Sequence, residues 1–167
     1  MPVGTIPPNP TELLDGDVLG NCFAELRSQY DYIFIDCPPS LEMLTLNALA
    51  AADGILIPVQ CEYFALEGLS QLSFTIRNVR RTYNPRLEIA GVILTMFDGR
   101  LNLTQQVVAE VKNFFPKKVY STVIPRNVRL SEAPSFGEPV IYYDRASRGS
   151  ESYMALAEEF LRGAGNN

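Results

Sequence analysis

Asp36 stands at the end of an apolar run, Tyr32-Ile33-Phe34-Ile35, and is followed by Cys37-Pro38-Pro39-Ser40. A β-branched and aromatic run of this kind reads as a buried strand. Such a strand would deliver its last residue to the carboxyl edge of a sheet, where open α/β proteins bind their ligands. A carboxylate at that edge suits Mg²⁺, which keeps much of its hydration shell and is often held through water. The chemistry would be phosphoryl transfer, in which the ion neutralises phosphate oxygens. The same spacing also fits an aspartate that merely opens the turn into Cys37-Pro38-Pro39, and the strand alone leaves both readings open. The 167 residues include no histidine. The commonest general base and the commonest zinc ligand are therefore missing, which excludes a serine–histidine hydrolase and a zinc enzyme. Cys22, Cys37 and Cys61 are odd in number and lack CxxC spacing, so they read as buried free thiols in a reducing compartment.

The elements that must position Asp36 follow from short apolar runs alternating with helix-period segments. That is the pattern of an α/β protein with a mostly parallel sheet and helices on both faces. After Tyr32–Ile35, further strands are expected at Ile55–Ile57, Val92–Leu94 and Val119–Ile124, with a short last one at Val140–Tyr142. Pro58 cannot donate to a ladder and is expected to stop the second strand. Leu69, Leu72, Ile76 and Val79 make one helical stripe; Val107, Val111, Phe114 and Phe115 make another, with Asn102 and Gln105 in a capping pattern. Tyr153, Leu156, Ala157, Phe160 and Leu161 stripe a terminal helix with Ser150 as expected N-cap, ahead of a frayed tail from Gly163 to Asn167. Thr11–Gln29 and Ser40–Ala52 read as two earlier helices. With no repeat or linker, residues 1–167 are expected to form a single domain, 1–29 serving as its entry segment and helix.

A 47% apolar and 20% charged composition is that of an ordinary globular protein. No apolar run approaches the roughly 20 residues that span a bilayer, and Met1–Pro10 resembles no secretory signal. The net charge of −5 means that any nucleic-acid contact must come from a local basic patch.

Tyr30 to Gly68, with DYIFIDCPPSLEMLTLNALAAAD and LIPVQCEYFALEGL, closely resembles the ParA/Soj chromosome-partitioning ATPases of the deviant Walker A group of P-loop NTPases. The resemblance continues through GVILTMFDGRLNL, KKVYSTVIPRNVRLSEAPSFGEPV and YDRASRGSESYMALAEEFL, so it spans roughly residues 30 to 161 in order. It implies that Asp36 is the Walker B aspartate, catalytic and magnesium-holding. It further implies that Thr95-Met96-Phe97-Asp98 begins an adenine pocket and that Pro125-Arg126-Asn127 closes over the base. Ordinary strand-end loops remain the alternative for both segments. Arg100 and Arg129 match positions where the family is understood to bind DNA without sequence preference, against the alternative of solvated surface charge. Arg77, Arg80 and Arg81 read as a solvated basic stripe. The full-length family would bind ATP and Mg²⁺, dimerise, contact nonspecific DNA and a ParB-type centromere-binding protein, and work in the cytoplasm on the nucleoid. No membrane is implied, because Glu151, Glu158 and Glu159 make the terminal helix acidic.

The sequence also departs from that family. A P-loop needs GxxxxGK[ST], whereas the only lysines are Lys112, Lys117 and Lys118, none after a glycine. The family's signature lysine and acidic switch segment are likewise missing. The expectation is that the family's amino-terminal P-loop portion is lacking and that this polypeptide alone neither binds ATP tightly nor hydrolyses it. VGTIPPNPTELL near the start resembles instead the bacterial tyrosine kinases of capsule synthesis. A kinase-type relative and a nucleotide-free regulatory remnant therefore stand beside the partition ATPase as readings.

Overall fold

Apolar residues on alternate positions, and the spacing of stripes between them, resolve into an α/β architecture in the computed structural model, which describes residues 18–38, 40, 42–62 and 65–164. In chain order these are α1 (Val18–Leu26), α2 (Met43–Ala51), β1 (Gly54–Gln60), α3 (Ala65–Thr82), β2 (Glu88–Phe97), α4 (Asn102–Phe114), β3 (Val119–Pro125), α5 (Val128–Glu132), a 3₁₀ turn (Ala133–Phe136), α6 (Val140–Tyr143) and α7 (Arg148–Ala164). The sheet has the order β1-β2-β3. β2 and β3 run parallel, with Val92 opposite Val119, Leu94 opposite Val123 and Phe97 opposite Pro125.

The chain divides into two compact units, one of residues 1–55 and 71–88 and the other of 56–70 and 89–167. In the first, Ala48, Leu49, Ile76, Val79 and Leu87 are buried. Asn84 ties this unit together: its side-chain amide donates to the carbonyls of Leu49 (3.1 Å) and Ala52 (2.7 Å). Asn84 thereby supplies a partner to carbonyls in the last turn of α2 and just beyond it. Arg27 also pairs with Asp53 at 2.8 Å.

In the second unit the buried set is Ile57, Val59, Cys61, Leu69, Val92, Leu94, Val107, Val111, Phe115, Ile124, Ala133 and Leu156. α7 packs on β3. A Cβ at Gly91 would lie 2.8 Å from Cζ of the Tyr120 ring, so any side chain there would force that ring to move. The Glu159 carboxylate on α7 accepts from the Ser121 N–H (2.7 Å) and the Thr122 N–H (2.9 Å) of β3. Successive strand N–H groups normally point to opposite sides. Both reach one carboxylate because β3 advances out of step with β2 between Val119 and Val123.

Several expected elements differ from what forms. Residues 32–38, expected to hold the first strand, are irregular, and Tyr32, Ile33, Phe34 and Ile35 are all exposed, Phe34 at 69%. A strand exists only through its ladder, and the described sheet is completed by β1, β2 and β3. Pro58 lies inside β1, not after it. Among the described residues β1 is an edge of the sheet, a place where a missing N–H costs no ladder bond. Val140–Tyr143 is a single helical turn and not a strand, since Pro139 at its N-cap starts a helix more readily than a ladder. The terminal helix begins two residues before Ser150. Ser147 performs the capping instead, its Oγ accepting from the Ser150 N–H at 3.2 Å. That helix runs through Gly163, the residue expected to open the tail. The N-cap of α4 is Leu101, one residue before Asn102, and it makes no side-chain cap. Only Cys61 of the three cysteines is buried. The start of the helix expected from Thr11 lies outside the described residues.

Candidate functional site

The carboxyl ends of β1, β2 and β3 finish level with one another. The Cys61 N–H donates to the Thr95 carbonyl at 2.9 Å, and the Arg126 N–H donates to the Phe97 carbonyl at 3.2 Å. The Thr95 hydroxyl adds a bond to the Val59 carbonyl at 3.3 Å. These contacts bring two of the segments singled out from sequence, Thr95–Asp98 and Pro125–Asn127, side by side at one sheet edge.

Met96 has φ 53°. This is left-handed backbone that a non-glycine residue adopts only when its surroundings impose it, and such positions cluster at binding sites. It falls where the β2–β3 register shifts, between Leu94 and Phe97, and it leaves the Met96 side chain 39% exposed.

Beyond Phe97 the charges are paired off. The Asp98 carboxylate accepts from the Arg100 N–H (3.1 Å), from Nε (2.9 Å) and from the terminal guanidinium nitrogen (2.7 Å). The Arg100 side-chain bonds, with its backbone N–H next, hold the Asp98 carboxyl down at about 2 and push the Arg100 guanidinium up. Arg126 reaches back to Glu62, just past β1, at 2.6 Å.

Asn127 caps α5, its Oδ1 accepting from the Arg129 N–H at 3.0 Å. Arg129 pairs with Glu132 (2.7 Å) and Asp144 (3.2 Å). The hydrogen bond from Arg129 holds the Glu132 carboxyl below its usual range. The Tyr143 hydroxyl also donates to Glu132, at 3.2 Å, and the Tyr143 ring stacks on Phe136 with centroids 5.0 Å apart.

Asp36 belongs to the other unit. It is exposed and follows irregular chain, not a strand. The neighbouring Cys37 thiol is raised by burial and by the Asp36 charge. Among the described residues, no group of three or more His, Cys, Asp or Glu side chains could hold a metal, and no helix is long and apolar enough to cross a membrane.

The residues missed by sequence reasoning are the carboxylates: Glu62, Glu132, Asp144 and Glu159. Glu62 meets Arg126 across 64 residues and Glu159 meets Ser121 across 38, separations that carry no local signal. The Asp98–Arg100 pair did carry one, since an aspartate two residues before its partner is the pattern of an Asx turn.

Residues 11–89 match the AAA domain family. The chromosome partitioning protein ParA of Myxococcus xanthus is 58% identical over 144 residues, covering 86% of this chain and 51% of that protein. The sporulation initiation inhibitor protein Soj of Bacillus subtilis is 63% identical over 134 residues, covering 80% of this chain and 53% of that protein. The chain thus spans about half the length of the curated relatives it matches. Among solved structures, cobyrinic acid a,c-diamide synthase from Mycobacterium smegmatis with bound ATP analog and magnesium superposes with a TM-score of 0.74. It is 32% identical, covering 89% of this chain and 55% of that one. Identity of this order over 80% or more of its residues places the chain in the ParA/Soj family of chromosome partitioning proteins.

Proposed function

We propose that this chain carries the base-proximal side of the nucleotide site of a chromosome-partitioning ATPase. The supporting observation is the pairing of Phe97 with Pro125, fixed by the Arg126 N–H on the Phe97 carbonyl. It makes Thr95–Asp98 and Pro125–Asn127 adjacent walls of one sheet edge, where doubly wound folds take their ligands. An adenine ring is flat, neutral and rimmed by donors and acceptors. It asks for apolar surface and backbone polar groups, not for a charge. Phe97 and Pro125 are half-buried and Met96 is exposed. The nearby charges are consumed by the Arg126–Glu62 and Arg100–Asp98 pairs. The chemistry of these walls fits a base.

ATP and Mg²⁺ are the groups this reading implies. ATP supplies the phosphoryl group, with the ion neutralising its oxygens. Asp36 is the residue that would hold the ion, through water. Arg100 and Arg129 are the proposed contacts to nonspecific DNA. Each already holds a carboxylate, so binding exchanges that partner for a phosphate. A ParB-type partner, a homodimer and a place on the nucleoid complete the proposal. The solved relative that holds an ATP analog and magnesium supports the nucleotide part.

Titration of Mg-ATP into isotopically labelled protein tests the site. The amide resonances of Met96, Phe97, Asp98, Arg126 and Asn127 should shift together in the millimolar range. If they stand still while ATP perturbs other amides, or if nothing moves, the base site is elsewhere.

A further inference from the structure

Residues 71–88, which close the first unit, contain Arg77, Arg80, Arg81 and Arg86 and a single acidic residue, Glu88, which lies beyond the end of α3, in a chain whose net charge is −5. All four are exposed, and none has a carboxylate partner among the described residues. The contrast with the arginines expected to bind DNA is sharp: Arg100 is held by Asp98, and Arg129 by Glu132 and Asp144. Arg145, Arg148 and Arg162 also lack a carboxylate there, but acids surround them in sequence (Asp144, Glu151, Glu158, Glu159).

Arg77, Arg80 and Arg81 lie at i, i+3 and i+4 of α3 and so share one helix face. Beyond the helix, Asn84 fixes the chain that follows, bonding to the carbonyls of Leu49 and Ala52 and accepting from the Arg86 N–H at 3.2 Å. The stripe is therefore presented on a held surface, not on a loose loop.

We infer that this face of α3 is a polyanion-binding surface of the chain, and that its ligand is the phosphate backbone of duplex DNA. An anionic membrane is the poorer fit. An interfacial helix must insert a broad apolar face, whereas Leu69, Ile76 and Val79 of α3 are at most 4% exposed and Phe74, at 59%, stands as a single exposed aromatic beside the arginines. Guanidinium groups without a competing carboxylate bind phosphate without first giving up a partner, so this face should engage before Arg100 and Arg129 do. The inference rests on the reading that the chain engages DNA.

The test is the salt dependence of binding to a short mixed-sequence duplex, measured by fluorescence anisotropy on the 167-residue chain. Each phosphate contact contributes about 0.9 to the slope of log affinity against log salt. The variant Arg77→Gln/Arg80→Gln/Arg81→Gln should therefore bind more weakly at low salt, with a slope shallower by about 2.7. The triple lysine variant keeps the charges and should keep the slope. Arg81→Gln alone should lower it by about 0.9, which preserves the test should the triple variant melt early.

Unchanged slopes, with binding lost instead in Arg100→Ala/Arg129→Ala, would overturn the α3 surface and leave the DNA reading standing. No retention of DNA by the unaltered chain would sink both. Loss of binding to phosphatidylglycerol vesicles but not to DNA would reassign the face to membranes.

Discussion

Asp98 shows how two residues can set the electrostatics of a strand end. Its carboxyl is held at about 2 by the guanidinium and backbone N–H of Arg100. A carboxyl whose folded pKa is depressed stabilises the folded state fully above its unfolded value, near 3.9, and loses that contribution as pH falls toward 2. Below that window the Asx turn has no ionised acceptor and Arg100 is released. Carboxyl carbon chemical shifts followed against pH should place Asp98 well below the other aspartates, and Arg100→Ala should return it toward them. A normal Asp98 titration in the unaltered protein would contradict the bidentate pairing. Exposure of the Arg100 side chain (88%) keeps this a local ordering effect, not a large stability term.

At the scale of elements, β3 depends on α7. The Glu159 carboxylate receives two successive N–H groups where β3 slips against β2. Burial pushes this carboxyl up, but the side-chain and backbone hydrogen bonds of Thr122 and Ser121 outweigh it and hold the group below its usual range. Glu159→Ala removes the acceptor and leaves an exposed and a part-buried donor to water, at a cost of about 1 kcal/mol. Because the folded pKa is lowered, the stability at stake is present above about pH 4.3 and fades as pH falls through the depressed value. Thermal melts of Glu159→Ala and the unaltered chain should therefore differ at neutral pH and converge in acid. A difference that persists undiminished at low pH would mean that packing, not the carboxylate, carries the effect.

The same element pair shows what was legible in advance. The runs Ile55–Ile57, Val92–Leu94 and Val119–Ile124 announced β1, β2 and β3 because period-2 and β-branched patterns are local. The helix from Val107 was equally plain. Pro58 misled because an edge strand tolerates what a central strand does not, and edge position is a property of the whole sheet. Tyr32–Ile35 misled for a related reason: four apolar residues in a row describe a strand covered on both faces, yet here they are exposed. The strand-end loops were found only through family resemblance. Glu62, the carboxylate partner of Arg126 from 64 residues away, was found only through the structure.

At the scale of the whole molecule, the question is what a chain spanning about half of its curated relatives' length can do chemically. Phosphoryl transfer is almost entirely positioning and charge stabilisation of the γ-phosphate. In the proposed site, the walls formed by Thr95–Asp98 and Pro125–Asn127 would serve the base end only. No GxxxxGK[ST] segment occurs anywhere in the 167 residues, and none of the three lysines follows a glycine. Asp36, the proposed magnesium carboxylate, sits exposed on irregular chain in a unit separate from those loops. A base wall without a phosphate cradle lowers the barrier very little, because uniform binding of the substrate does not stabilise the transition state. The 167-residue polypeptide should therefore bind adenine nucleotides weakly and release no phosphate from ATP above the uncatalysed rate, with or without duplex DNA. Phosphate release that is abolished by Asp36→Ala would show that the chain assembles a phosphate site from residues other than a P-loop.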